Sequence, residues 1–293
     1  MRIRGLTEPP RTAGGGAGLV LLGAFMIQWS AAIVMPIISR FGGSAASGWR
    51  FLLGAGVLLI VVRPKVRSWD RDRCIGVVVF GLSSAVMNQC FFQAIHRIHL
   101  GTAVAIEYLG PFLVAALGKR SWRHFCFVLL AMGGVLALAR PGGHLSVAGI
   151  LFAAGAGVGW AAYAFASHRV GGDGDGYSGL AVSMSIGALL TLPTIFSSAH
   201  TMISTPHLWI RMLLVAIMAT VIGFGAEMQA LRRLKPSIVS VLMALDPAVA
   251  FLVGLVILHQ SVQTWDLVGM LCVVVAGVGV TVDESRGAVE IVR

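Results

Sequence analysis

Three acidic side chains stand inside long apolar segments of this 293-residue chain: Glu107, Glu227 and Asp246. A fourth charged residue, Arg50, lies near the start of another such segment. A charge held in the middle of a bilayer is costly, so it is normally paired or faces a wet cavity. In such a cavity a carboxylate could carry a proton or meet a cation. A guanidinium could bind a carboxylate through two hydrogen bonds.

Three of these residues also have plainer interpretations. Arg50 could extend to lipid headgroups at the membrane surface. Glu227 could pair with Arg232 or Arg233 near the end of its segment. Asp246 directly precedes a proline and could bond backbone groups that the proline leaves free. Spacing alone does not choose between these interpretations and a shared cavity.

Several polar or aromatic groups in the apolar segments could line the same cavity. They are Gln28, Asn88, Tyr108, Trp160 and Tyr163. The alternative for each polar group is a hydrogen bond between neighbouring helices.

The composition requires lipid as the solvent. Hydrophobic residues make up 57% of the chain and charged residues only 12%, about half the charge of a soluble domain. Ten apolar runs approach the length of a membrane span. They lie near residues 16–38, 45–62, 75–95, 102–118, 124–139, 147–167, 178–197, 212–231, 236–258 and 264–282. The sequence therefore predicts an all-α integral membrane protein with ten transmembrane helices.

One stretch of the chain returns 136 positions later. Residues 94–118 (AIHRIHLGTAVAIEYLGPFLVAALG) correspond to residues 230–254 (ALRRLKPSIVSVLMALDPAVAFLVG). Pro111 and Pro247 coincide in the two copies, and each is predicted to kink its helix because proline lacks a backbone donor. Glu107 corresponds to Met243, so the fold itself does not require a carboxylate there.

Ten spans with an internal repeat divide into five and five. Since five is odd, the second half enters the membrane from the opposite side. The sequence therefore predicts two inverted five-helix repeats, residues 16–139 and residues 147–282. Inverted repeats of this kind are typical of secondary transporters.

The formal charge of +10 reflects orientation in the membrane. With the N-terminus in the cytoplasm, 17 of the 22 lysines and arginines fall on the cytoplasmic side, four arginines fall outside, and Arg50 lies near the start of the second span. The four are Arg40, Arg97, Arg140 and Arg211. This distribution predicts that both termini lie in the cytoplasm. It gives no reason to expect a nucleic-acid partner.

Several kinds of site are not indicated by the sequence. The four cysteines are scattered without a CxxC pair, and no spacing typical of metal ligands is present. No Walker motif and no nucleophile–base pair are visible. We therefore expect a transporter, without cofactor or metal, and not an enzyme.

Longer motifs resemble a known family. Residues 101–117 (GTAVAIEYLGPFLVAAL) are similar to the fourth helix of the threonine/homoserine exporter group, which belongs to the EamA type of the drug/metabolite transporter superfamily. Residues 49–60, 155–169 and 227–254 resemble that group's second, sixth and eighth-to-ninth segments. Two elements depart from the pattern: the ninth helix has ALDP, with Asp246 where glutamate is common, and it ends in LHQS instead of a GE element.

The resemblance implies a multi-pass exporter in the bacterial inner membrane that works by alternating access, driven by an ion gradient such as protons. Export of amino acids like threonine and homoserine, or of similar small metabolites, is the expected function. Efflux of larger cationic compounds by a multidrug transporter of the same superfamily is the alternative. In either case a small-molecule substrate and the bilayer are the expected partners.

Overall fold

The computed structural model describes residues 13–110, 122–138, 146–170, 176–234 and 236–291, and within these ranges the chain contains helices and no strands. The helices are α1 (Ala13–Ile33), α2 (Met35–Phe41), α3 (Gly43–Val62), α4 (Arg71–Ile95), α5 (Leu100–Glu107), α6 (Trp122–Leu138), α7 (Val147–Val170), α8 (Gly176–Thr191), α9 (Phe196–Ser204), α10 (Pro206–Ala216), α11 (Phe224–Arg233), α12 (Pro236–Met243), α13 (Asp246–Val256) and α14 (Thr264–Ile291). Helices satisfy their own backbone hydrogen bonds, as a chain in lipid must.

These helices follow the ten predicted segments. The first span combines α1 and α2, the seventh α8 and α9, the eighth α10 and α11, and the ninth α12 and α13. The second to sixth spans correspond to α3, α4, α5, α6 and α7 in that order, and the tenth corresponds to α14. The all-α membrane fold is confirmed.

The outer surface of the bundle is apolar, as lipid contact requires. Within the described ranges, five helical stretches are long and apolar enough to cross a membrane, and shorter apolar helices accompany them. Large hydrophobic side chains such as Ile60, Leu136 and Leu189 are about 70% exposed (72%, 70% and 70%). Water would penalise so much exposed apolar surface. Hydrocarbon removes that penalty.

The fourth and ninth spans are interrupted at matching places. Helices α5 and α12 each contain eight residues, and α12 lies 136 positions after α5 at both ends. A turn at Tyr108 follows α5, and a turn at Ala244 and Leu245 follows α12. Helix α13 then begins at Asp246 with Pro247 in its first turn. Pro111, the other predicted kink, lies outside the described residues.

The eighth span contains an irregularity that the sequence did not predict. Residues Ile217–Gly223, between α10 and α11, form a π-helix. Such segments are rare and often lie at functional sites. This one directly precedes Phe224 and Glu227, which face the bundle interior.

The spans pack in a pattern that repeats between the two halves. The first span packs on the eighth and ninth, and correspondingly the sixth packs on the third and fourth. The second packs on the eighth, and the third on the seventh. The second and seventh, fourth and ninth, and fifth and tenth spans pack on each other.

A buried hydrogen bond fastens the second span to the seventh. The Trp49 indole Nε1–H donates to Ser198 Oγ over 2.9 Å, and the two residues are 4% and 1% exposed. Replacing Ser198 with alanine leaves the buried N–H without its acceptor. We therefore expect Ser198→Ala to lower the free energy of unfolding by about 1–2 kcal/mol.

The measurement is the thermal midpoint of the purified protein in detergent. Ser204→Ala is the matched control, because the exposed Ser204 lies in the same helix and its hydroxyl bonds only the carbonyl of Thr201. Equal midpoints for the two variants would contradict the prediction.

Candidate functional site

A cavity of about 80 Å³ lies inside the bundle, between the breaks in the fourth and ninth spans. Eight of the predicted site residues line it. They are Gln28, Arg50, Asn88, Glu107, Tyr108, Trp160, Glu227 and Asp246. The chain thus gathers one guanidinium and three carboxyl groups from four different spans around a space that would hold roughly two or three waters.

Arg50 is buried in the second span and does not extend to the membrane surface. Its side chain is 6% exposed, and its guanidinium carbon lies 5.6 Å from the centre of the Phe92 ring. Among the described residues no carboxylate oxygen lies within 4.0 Å of it. The buried guanidinium is therefore available to an anionic group that enters the cavity.

Glu107 is the last residue of α5 and is 7% exposed. It stands where the fourth span is interrupted, directly before Tyr108. It shares the cavity with Arg50, and in the described structure the two side chains form no ion pair within 4.0 Å. A carboxyl group in this position can change its charge when protons or solutes enter the cavity.

A hydrogen bond connects the two interrupted spans. The Tyr108 hydroxyl donates to Asp246 Oδ2, and both side chains are buried. The Tyr108 ring also packs edge-on against Trp160, with 4.3 Å between ring centres and an interplanar angle of 88°. Asp246 therefore bonds a side chain of the other half of the chain and not the backbone beside its own proline.

The other predicted residues have simpler surroundings. Asn88 donates through Nδ2 to the Ser84 carbonyl of its own helix at 2.9 Å. This bond lies within one helix and is not the hydrogen bond between helices that was the alternative interpretation of Asn88. Glu227 is half-buried and lines the cavity. Pro247 is buried at the start of α13. The side chain of Tyr163 lies outside the described part of the chain.

The cavity also has apolar lining that we did not predict. Ile27, Met87, Phe91, Val104, Phe224 and Met243 contribute to it. Three of these six residues could have been predicted by applying the 136-residue displacement of the repeat to the predicted site residues. It carries Asn88 to Phe224 and Glu107 to Met243, and carries Glu227 back to Phe91.

A larger groove, about 570 Å³ in volume, lies between the ends of the first, eighth and ninth spans. Apolar side chains form most of its lining, together with exposed His207 and Arg211. It contains no buried charged group and therefore offers less chemistry than the central cavity. Among the described residues, no group of three His, Cys, Asp or Glu side chains could hold a metal ion.

Known transporters are similar to this chain in sequence. Residues 147–282 match the EamA-like transporter family. The threonine/homoserine exporter RhtA of Salmonella typhimurium is 27% identical over 271 residues, covering 92% of each chain. The exporter of the same name in Escherichia coli K12 is 28% identical, covering 90% of each. An uncharacterized transporter of Bacillus subtilis, YvbV, is 24% identical over 78% of this chain and 79% of its own.

A solved crystal structure supports the fold. It covers 92% of this chain and 98% of its own with a TM-score of 0.56, at 18% identity. The family match and the RhtA relatives confirm the sequence resemblance described above. The chain is a multi-pass membrane protein whose residues 147–282 match the EamA-like transporter family.

Proposed function

We propose that this protein exports amino acids of the threonine and homoserine kind, or similar small zwitterions, by alternating access. The observation that carries the proposal is the central cavity, where one arginine and three carboxyl groups meet at the breaks of two spans. A zwitterion needs both signs of charge in one pocket. The names of the RhtA relatives agree with this substrate class.

We further propose that residues 16–139 and 147–282 are two inverted repeats. The packing pattern supports this, since most contacts between spans of the described chain have a counterpart five spans further along. The two eight-residue helices α5 and α12 support it as well. Two similar halves of opposite orientation can open the same cavity to either side by turns.

In this mechanism Arg50 binds the substrate carboxylate and Glu107 carries the coupling proton. A cavity of about 80 Å³ is smaller than the usual ligand pocket, so it must widen to admit a substrate. The interrupted fourth and ninth spans are suited to that movement, because their helical segments are already separate. Loading and release of a proton at Glu107 would then accompany the change of access.

The proposed location is the bacterial inner membrane, with both termini in the cytoplasm. The clustering of lysine and arginine in alternate connections supports this orientation. Export follows if the substrate binds from the cytoplasmic side and a proton enters in exchange.

Proton coupling is tested with Glu107→Gln in proteoliposomes under an imposed pH gradient. The neutral amide keeps the shape of the side chain but cannot release a proton. We expect the wild type to accumulate labelled L-threonine above equilibrium. The variant should only exchange labelled for unlabelled threonine.

Asp72→Asn is the control, since Asp72 is an exposed carboxylate in the first turn of α4. It should accumulate threonine like the wild type. Undiminished accumulation by Glu107→Gln would remove Glu107 from the coupling step.

Efflux of larger organic cations is the second candidate. Aromatic rings on the cavity wall, including Phe91, Trp160 and Phe224, and the excess of acidic over basic groups favour it. Cells that overproduce the protein distinguish the two. Tolerance to toxic amino-acid analogues supports the first function, and tolerance to quaternary ammonium dyes supports the second.

A further inference from the structure

Among the described residues, two buried hydrogen-bond acceptors on side chains that line the central cavity have no donor. They are Asp246 Oδ1 and Gln28 Oε1, each with less than 1 Å² of accessible surface. The two residues are 6% and 4% exposed. Buried polar atoms are nearly always hydrogen-bonded, so each exception requires an explanation. Since both atoms belong to residues that line one cavity, a donor-rich ligand is a single explanation for both.

Asp246 is held in place by its other oxygen. Oδ2 accepts the Tyr108 hydroxyl, and Tyr108 is itself packed against Trp160. This arrangement leaves Oδ1 as the oxygen of Asp246 that has no donor within the described part of the chain. A site whose carboxylate is already oriented loses less entropy when it binds. Tyr108 is thus a positioning residue for Asp246.

The charge around the cavity indicates the kind of donor. Arg50 is the cation of the described lining, against the acidic side chains of Glu107, Glu227 and Asp246. A ligand that brings a carboxylate to Arg50 must bring a compensating cation to the acidic groups. An ammonium group supplies both the charge and three N–H donors.

We propose that Asp246 Oδ1 and Gln28 Oε1 bind the primary ammonium group of the substrate, with Tyr108 positioning Asp246. This assignment rests on the proposed function and adds the recognition of N–H groups to it. It separates substrate binding at Asp246 from proton carriage at Glu107. A quaternary ammonium ion has the charge but no N–H, so it leaves both acceptors without donors.

The first test needs no variant. Unlabelled compounds compete with labelled L-threonine for uptake by wild-type proteoliposomes. N,N,N-trimethyl-L-threonine keeps the positive charge and the carboxylate but has no N–H. N-acetyl-L-threonine keeps the carboxylate and one N–H but has no positive charge. We expect each to compete about 30-fold more weakly than threonine or worse, because the acceptors stay unsatisfied. Competition by the trimethyl compound at the level of threonine would overturn the proposal.

The second test uses variants of the proposed acceptors. Asp246→Asn should weaken threonine binding about 30-fold or more and should reduce the preference for threonine over N-acetyl-threonine. Tyr108→Phe should raise the KM for threonine several-fold and leave the maximal rate close to that of the wild type. The exposed-carboxylate variant Asp72→Asn should change neither quantity.

The results separate the two proposals. If wild-type vesicles take up no amino acid, the proposed function fails. If they take up threonine and Asp246→Asn binds it as tightly as the wild type does, the function stands and the ammonium site is refuted. Where Asp246→Asn yields no folded protein, the competition series on the wild type decides.

Discussion

Replacing Gly110 with alanine is expected to prevent stable folding. A Cβ atom at Gly110 would fall on the backbone carbonyl of Gly157, so the fourth and sixth spans approach backbone to backbone at this point. The obstacle is main chain and cannot rotate away. We expect the free energy of unfolding to drop by about 3 kcal/mol or more, at the upper end of the overpacking range. Size-exclusion chromatography and the thermal midpoint in detergent measure the loss.

The matched control is Gly133→Ala in α6. A Cβ atom at Gly133 meets nothing within 4 Å, so the control tests the alanine substitution itself. It should retain the wild-type elution profile and midpoint. Gly157→Ala offers no rescue, because its own Cβ would lie 2.7 Å from the Glu107 carbonyl oxygen. A Gly110→Ala protein as stable as the control would mean that the two spans can separate without cost.

This close approach matters for the site because it lies beside Glu107 and Tyr108. Because Gly110 and Gly157 have no side chains, the sixth span packs directly against the break in the fourth span. This places Trp160 of the sixth span beside that break. Trp160 then packs edge-on against Tyr108, which holds Asp246 of the ninth span. The geometry of the cavity thus depends on small residues that carry no chemistry themselves.

Much of the fold could be predicted from the sequence, because a chain in lipid can adopt few kinds of backbone structure. An apolar run of about 20 residues can satisfy its backbone in lipid only as a helix. A carboxyl group in such a run must face the protein interior, and Glu107, Glu227 and Asp246 all do. The repeat gave the matching positions of α5 and α12.

Contacts between segments that are distant in the sequence could not be predicted from it. Tyr108 and Asp246 are 138 positions apart, and their hydrogen bond depends on the rotation of two helices about their axes. Helix rotation follows from packing, which a single sequence does not encode in any simple pattern. The π-helix Ile217–Gly223 and the break of the first span at Val34 have the same origin.

The two halves supply matching positions to the cavity but different chemistry. Glu107 of the first half corresponds to Met243 of the second, and Glu227 of the second half to Phe91 of the first. Each pair places a carboxyl group opposite an apolar side chain. In the proposed arrangement of two repeats, a repeated scaffold surrounds an asymmetric pocket, which suits a substrate with two different ends.

At the anionic end of such a substrate, replacing Arg50 with glutamine is expected to abolish most transport. A guanidinium forms two charge-assisted hydrogen bonds to a carboxylate, and glutamine offers one neutral donor group. Loss of such bonds should raise the KM for L-threonine roughly 10- to 100-fold. The KM of Arg50→Lys should fall between those of the wild type and Arg50→Gln, because lysine restores the positive charge but not the paired hydrogen bonds.

A change of preference distinguishes carboxylate binding from a structural role of Arg50. Threoninol keeps the amine and lacks the carboxylate, so the wild type should prefer threonine to it strongly. Arg50→Gln should transport the two at similar, low rates. Arg40→Gln, which changes an exposed arginine outside the cavity, should keep the wild-type preference. If Arg50→Gln loses rate but still prefers threonine as the wild type does, Arg50 supports the bundle and another group binds the carboxylate.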